Sequence, residues 1–79
     1  MSKEDLRQEI RSLWQDTLGV EVDEETDFFE VGGHSFMAMR IIARIDEKYG
    51  TGIPLRLIFD LPRLGEFTGG VEKELDSLG

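Results

Sequence analysis

Leu6, Ile10, Leu13, Trp14, Thr17 and Leu18 recur three and four residues apart and share one sector of a wheel turned about 100° per residue. That pattern predicts an amphipathic helix over Ser2–Leu18. Ser2 and Asp5 form a weak capping box, Glu4 and Asp5 suit the positive end of the helix, and Gly19 stops it. Trp14 continues the apolar stripe and is assigned to the core.

From Gly19 to His34 no period is sustained. A connection this long is uncommon in a compact domain unless it is functional or pinned down, and Val20, Val22, Phe28, Phe29 and Val31 can pin it. An ordered loop is expected, with one short helical turn near Thr26–Glu30.

A helical period resumes over Ser35–Tyr49. Ala38, Ile41, Ile42, Ile45 and Tyr49 make its buried face, while Phe36, Arg40, Ala43, Arg44 and Glu47 point the other way and Met37 and Met39 fall on opposite margins. Gly50 and Gly52 close it. Ile53–Leu61 is ambiguous: Ile53, Leu55, Leu57 and Phe59 alternate as a strand would, but Leu55, Ile58 and Phe59 also fit one helical face. A lone strand would have no partner in an otherwise helical chain and Pro54 suits a first helical turn, so a short helix is expected. After Pro62 a last helix is predicted over Arg63–Asp76, with Leu64, Phe67, Val71 and Leu75 inward; Gly65, Gly69 and Gly70 each weaken it by about 0.8–1 kcal/mol relative to Ala. The pattern as a whole predicts an all-α fold: a small four-helix bundle with a long ordered first loop and a short third helix, read as a single domain over residues 1–79.

Length and composition narrow the uses of such a bundle. A chain of 79 residues with 39% hydrophobic side chains supports one core, stable by about 4–12 kcal/mol, and leaves little room for a catalytic cleft. The net charge of −8 repels nucleic acid and anionic membranes. No apolar run approaches a bilayer span and no signal-peptide pattern opens the chain, so the expected compartment is the cytoplasm. Cysteine is absent, which excludes disulfides and thiol chemistry by the polypeptide itself. Asp23, Glu25 and Asp27 resemble the start of a calcium loop, but Phe28 stands where that loop needs Gly and His34 where it needs Glu, so no metal site is assigned.

The stretch Asp27–Met39, DFFEVGGHSFMAM, places two glycines, a histidine and a serine where the loop gives way to a helix. Three readings compete. In the first, Gly32 and Gly33 make a turn, Ser35 caps the helix and His34 is a surface residue. In the second, Ser35 is a nucleophile; the second glycine of a hydrolase elbow is missing, no strand precedes it, and His34 is adjacent rather than oriented by a carboxylate, so this reading is rejected. In the third, the serine is modified by a phosphate-bearing group, which the first N–H groups and the dipole of a helix favour without any basic side chain.

Val31, Gly32, Gly33, His34, Ser35 and Phe36, with the lead-in Asp27, Phe28 and Phe29, resemble the attachment motif of peptidyl carrier domains, the thiolation modules of non-ribosomal peptide synthetases. Ile53-Pro54-Leu55 and Phe59–Leu64 resemble the family's third helix and its entry into the fourth. Val31 and Phe36 replace commoner leucines, and Arg63 stands where a capping Ser or Thr is usual, leaving the last helix to be capped by Asp60 or weakened by about 1 kcal/mol. The resemblance implies a non-catalytic, monomeric carrier with 4′-phosphopantetheine on Ser35, installed by a phosphopantetheinyl transferase from coenzyme A with Mg²⁺. It also implies loading by an adenylation enzyme or domain and collection by condensation, tailoring or thioesterase enzymes. Asp27, Gly32, Gly33, His34 and Phe36 would surround the attachment point, the glycines leaving space for the modifying enzyme. Phe36, Met37, Met39, Arg40 and Leu57 would form the docking surface. His34 before Ser35 favours this class over acyl carriers of polyketide or fatty-acid pathways. The rival of another kind is an acidic helical interaction module with no prosthetic group.

Overall fold

The computed structural model describes residues 3–78, the side chain of residue 78 excepted. Four helices follow in order: α1 (Lys3–Leu18), α2 (Ser35–Tyr49), α3 (Arg56–Asp60) and α4 (Leu64–Leu78). The all-α reading holds, and an isolated bridge between Asp27 and Arg63 is the extended pairing found among the described residues. The Ser2 half of the capping box lies outside them. α1 packs on both α2 and α4, and α3 leans on α4.

The periodic positions meet at one core. Leu6, Ile10 and Trp14 enter it from α1, Ala38, Ile41, Ile42 and Ile45 from α2, and Leu64, Phe67 and Val71 from α4. Each of the larger aliphatic and phenyl side chains contributes about 1.5–3 kcal/mol on leaving water. α2 starts and stops at the residues expected from its pattern. Its end is fixed by Gly50 in the left-handed region at φ 66°, and by Asp46, whose carboxylate accepts from Thr51 Oγ1 at 2.6 Å and from the Ile53 N–H at 3.1 Å.

The first loop is ordered, but only some of the expected anchors hold it. Val22 and Phe28 are buried, whereas Val20 is 43% exposed and pins nothing. Phe29 is half-buried against the core, and a further part of the hold comes from backbone, which side-chain patterning does not reveal. The Phe28 N–H donates to the Pro62 carbonyl at 2.8 Å, the Leu64 N–H to Thr26 at 3.0 Å and the Gly65 N–H to Glu24 at 3.0 Å. The last two bonds satisfy N–H groups that the start of α4 cannot satisfy within itself. Loop carbonyls therefore do the work assigned to Asp60, and α4 begins at Leu64 rather than Arg63. The helical turn expected near Thr26–Glu30 appears one residue later, with Val31 N–H donating to Asp27 O at 3.3 Å and Gly32 N–H to Phe29 O at 3.2 Å.

Three further details depart from the pattern. In α3 the buried residue is Ile58; Leu55 and Phe59 are exposed, so the helix is rotated from the face drawn for it, and Pro54 precedes it with its carbonyl accepting from the Leu57 N–H at 3.0 Å. A Cβ on Gly70 would stand 3.1 Å from Leu57 Cδ1 and Leu61 Cδ1, so this glycine seats α3 against α4 rather than merely weakening its own helix. Thr68 and Glu72 are buried among the apolar residues of α4. Glu72 meets Arg7 at 3.0 Å, and the other arm of that guanidinium reaches Glu24 at 3.0 Å, tying α1, the loop and α4 together.

Candidate functional site

The approach to Ser35 is built from Asp27 onward. Its Oδ1 accepts from the N–H groups of Phe29 at 2.9 Å and Glu30 at 3.1 Å, an aspartate turn that starts the bend leading to the glycines. Phe28, just inside that bend, is fully buried and meets Trp14 edge-on with centroids 5.3 Å apart.

The two glycines do different jobs. Gly32 has φ +98°, a conformation that side-chain-bearing residues rarely adopt, and faces open space. Gly33 has ordinary backbone angles but no room: a Cβ there would lie 2.5 Å from Phe28 Cε2 and 2.5 Å from the Phe28 carbonyl oxygen, which accepts the Gly33 N–H at 2.9 Å. Of the pair, only Gly32 borders open space; the room at Gly33 is taken by Phe28. Gly32→Ala is expected to cost about 1–2 kcal/mol, the penalty for a non-glycine residue at positive φ, measured by denaturant unfolding.

His34 is the N-cap, extended at φ −146° and ψ 176°, and its side chain makes no capping bond. Its carbonyl accepts the Ala38 N–H at 3.0 Å. Ser35 is therefore the first residue inside α2 and does not cap it, which removes the structural role considered for it. It is exposed, and among the described residues no hydrogen bond involves its hydroxyl.

The electrostatics at this helix end differ from those at the other long helices. α1 carries Glu4 and Asp5 in its first turn and α4 carries Glu66, but the first turn of α2 contains no acidic residue. In a chain with 17 acidic side chains, the positive end of α2 has no carboxylate in its own first turn, beside an unbonded hydroxyl. A phosphodiester on that oxygen would meet a first turn that carries no carboxylate.

Beyond Ser35, Phe36 is 63% and Met39 54% exposed, and Arg40 lies in solvent. Met37 and Leu57, expected in the same surface, are instead half-buried and packed on the core. Met37 follows Phe36 by about 100° around the helix, enough to turn it inward. Phe36→Ala should therefore leave stability within about 0.5 kcal/mol of the wild type in a thermal melt, as expected for an exposed side chain away from caps and core.

A family model described as the phosphopantetheine attachment site matches residues 8–71. The chain belongs to the phosphopantetheine attachment-site family. Members carry a covalently bound 4′-phosphopantetheine, and the features at Ser35 fit such a group: an exposed, unbonded hydroxyl at an acid-free helix start. The attachment-site chain is 32% identical over 74 residues, 89% of its length, to gramicidin S synthase 2 of Brevibacillus brevis. It is 39% identical over 70 residues, 87% of its length, to the phosphinothricin tripeptide synthetase PhsC of Streptomyces viridochromogenes. It spans only 2% and 6% of those two proteins. Among solved structures, BlmI, a type-II acyl carrier protein of Streptomyces verticillus involved in bleomycin biosynthesis, superposes with a TM-score of 0.85 at 27% identity, over 92% of this chain and 89% of that one. An active-site mutant of a peptidyl carrier protein gives 0.81 at 25% identity, over 90% of this chain and 80% of the other. The domain is thus homologous to the thiolation segments of peptide synthetases and has the carrier fold.

A ring contact near the site was not legible in the sequence. Phe29 of the loop stacks on Phe59 of α3, with centroids 5.2 Å apart and planes 19° from parallel. The two rings are far apart along the chain, and each reads alone as an ordinary loop or helix aromatic.

Proposed function

We propose that Ser35 is the residue that bears the 4′-phosphopantetheine arm, and that the domain is a non-catalytic peptidyl carrier holding aminoacyl, aryl or peptidyl groups as thioesters. The observation that carries the assignment is the Ser35 hydroxyl, exposed and unbonded at the first position of a helix whose first turn lacks acidic residues, inside the segment matched by the family model. The arm supplies a thiol to a chain that has none of its own. Asp27, Phe28, Gly32 and Gly33 shape the turn that leads into Ser35.

The names of the relatives, which concern gramicidin S and a phosphinothricin tripeptide, favour a place in non-ribosomal peptide synthesis over polyketide or fatty-acid pathways. In that setting a phosphopantetheinyl transferase would modify Ser35, an adenylation enzyme would load the thiol, and condensation, tailoring or thioesterase enzymes would collect the cargo. Phe36, Met39 and Arg40 are the exposed residues beside Ser35 on which these partners would dock in turn, whereas Met37 and Leu57 are half-buried against the core.

The test is incubation of the apo protein with coenzyme A, Mg²⁺ and a broad-specificity phosphopantetheinyl transferase, followed by intact-mass measurement and peptide mapping. One phosphopantetheine on the peptide containing Ser35 is expected. A bare polypeptide would leave the acidic interaction module as the better reading, and modification elsewhere would move the site.

A further inference from the structure

We infer that the solvent face of α2 is built to meet an acidic surface, a partner whose carboxylates surround an apolar recess; this deepens the carrier reading by giving the docking partner a chemistry. The inference starts from where charge is missing. The chain holds 17 acidic side chains, yet Ser35–Ile45 contains none and contributes Arg40 and Arg44. In so acidic a protein the most favourable place for an arginine is beside a carboxylate. Arg7 and Arg63 are held in that way, by Glu24 and Glu72 and by Glu25, and Lys48 is held by Glu9 at 2.6 Å. Arg40 and Arg44, like Arg11 and Arg56, are not: all four are exposed and none joins an ion pair among the described residues, but only Arg40 and Arg44 stand on the acid-free stretch of α2 beside the exposed Phe36 and Met39.

Their placement is directional. Phe36, Arg40 and Arg44 follow one another at intervals of four residues, so they form a single ridge drifting about 40° per step around the helix, with Met39 beside it. Phe36 and Met39 are the apolar part of this ridge, 63% and 54% exposed. At the flank of the arginines a hollow of about 150 Å³ is lined by Leu13, Asp16, Thr17, Arg40 and Arg44. Asp16 shares that hollow without an ion pair to either guanidinium among the described residues. Glu47, one turn further along, is the first carboxylate on this face.

Two exposed planar cations next to two exposed apolar side chains suit a partner that accepts bidentate hydrogen bonds at the rim of a pocket for Phe36. The remaining surface, dense in carboxylates, would repel the same partner wherever α2 is not presented. Attraction at one face and repulsion at the others orients the encounter so that Ser35 arrives first, which is how charge sets on-rate and register more than affinity.

The inference can be tested without the arm, on the apo protein labelled with ¹⁵N. Two synthetic amphipathic helical peptides are titrated in turn, identical in an apolar stripe of leucine and differing only in carrying glutamate or lysine on either side of it. The expected result at low salt is that the glutamate peptide shifts the amides of Phe36, Met39, Arg40 and Arg44. It should bind the wild type about fivefold tighter than it binds Arg40→Glu/Arg44→Glu, as two exposed ion pairs allow, and the difference should shrink at high salt. Preference of this face for the lysine peptide, shifts confined to other parts of the surface, or no shift with either peptide would overturn the proposal. A folded spectrum of the double variant confirms that the comparison is fair. Because neither peptide requires a modified serine, failure here leaves the mass measurement on Ser35 standing, and failure of that measurement leaves the charge reading standing.

Discussion

Ser35→Ala will take up no phosphopantetheine at all, while its melting temperature stays with that of the wild type. Both halves follow from the same geometry. The hydroxyl is exposed, joins no hydrogen bond among the described residues and does not cap α2, so its removal strands no partner. Alanine is a good helix former, and the expected change in stability is within about 0.5 kcal/mol. The loss of modification therefore cannot be ascribed to unfolding. The measurement is intact mass after exposure to transferase and coenzyme A, paired with a thermal melt. Modification persisting at another residue in this variant would overturn the assignment, and so would unmodified wild type under the same conditions. A large fall in melting temperature would show that the serine has a structural role the geometry does not give it.

Gly33→Ala should have the largest effect on the shape of the site. The new Cβ would enter to 2.5 Å from both the ring and the carbonyl oxygen of Phe28. Phe28 cannot give way easily, since it is fully buried and held edge-on between Trp14 and Phe29 at centroid distances of 5.3 and 5.1 Å. Overpacking of this kind costs about 1–3 kcal/mol, and loss of the 2.9 Å bond from Gly33 N–H to Phe28 O adds about 1 kcal/mol. Taken together, a penalty of about 3 kcal/mol removes a large part of the stability of a domain this size and lowers the melting temperature by roughly 15 °C. Calorimetry checks the stability, and the rate of phosphopantetheine transfer checks the site, which should slow even well below the melting transition because the entry into α2 has shifted. A Gly33→Ala protein melting with the wild type would mean that Phe28 has somewhere else to go. Gly32→Ala is the internal control, because its strain is confined to backbone torsion in open space and its expected cost is smaller.

These two positions illustrate what could be read in the sequence. That Ser35 stands at a helix start was legible, because the period of Ala38, Ile41, Ile42 and Ile45 is regular and two glycines interrupt the chain just before it. That Gly32 and Gly33 differ was not. A positive φ and a missing Cβ look the same as a letter, and only the position of the Phe28 ring shows that the second glycine is a matter of space.

Local pattern determined the four helices, the inward faces of α1, α2 and α4, the burial of Trp14 and the place of the serine, since helix periodicity and stop signals depend on residues a few positions apart. What required the tertiary structure were relations between distant residues. Loop carbonyls of Glu24 and Thr26 cap α4, Arg7 joins two glutamates 17 and 65 residues away, and Phe29 stacks on Phe59. Backbone groups carry no sequence signal, and long-range pairs have no fixed spacing to search for. The rotation of α3 and the inward lean of Met37 and Leu57 were settled in the same way, by the neighbours those side chains find once the helices have packed.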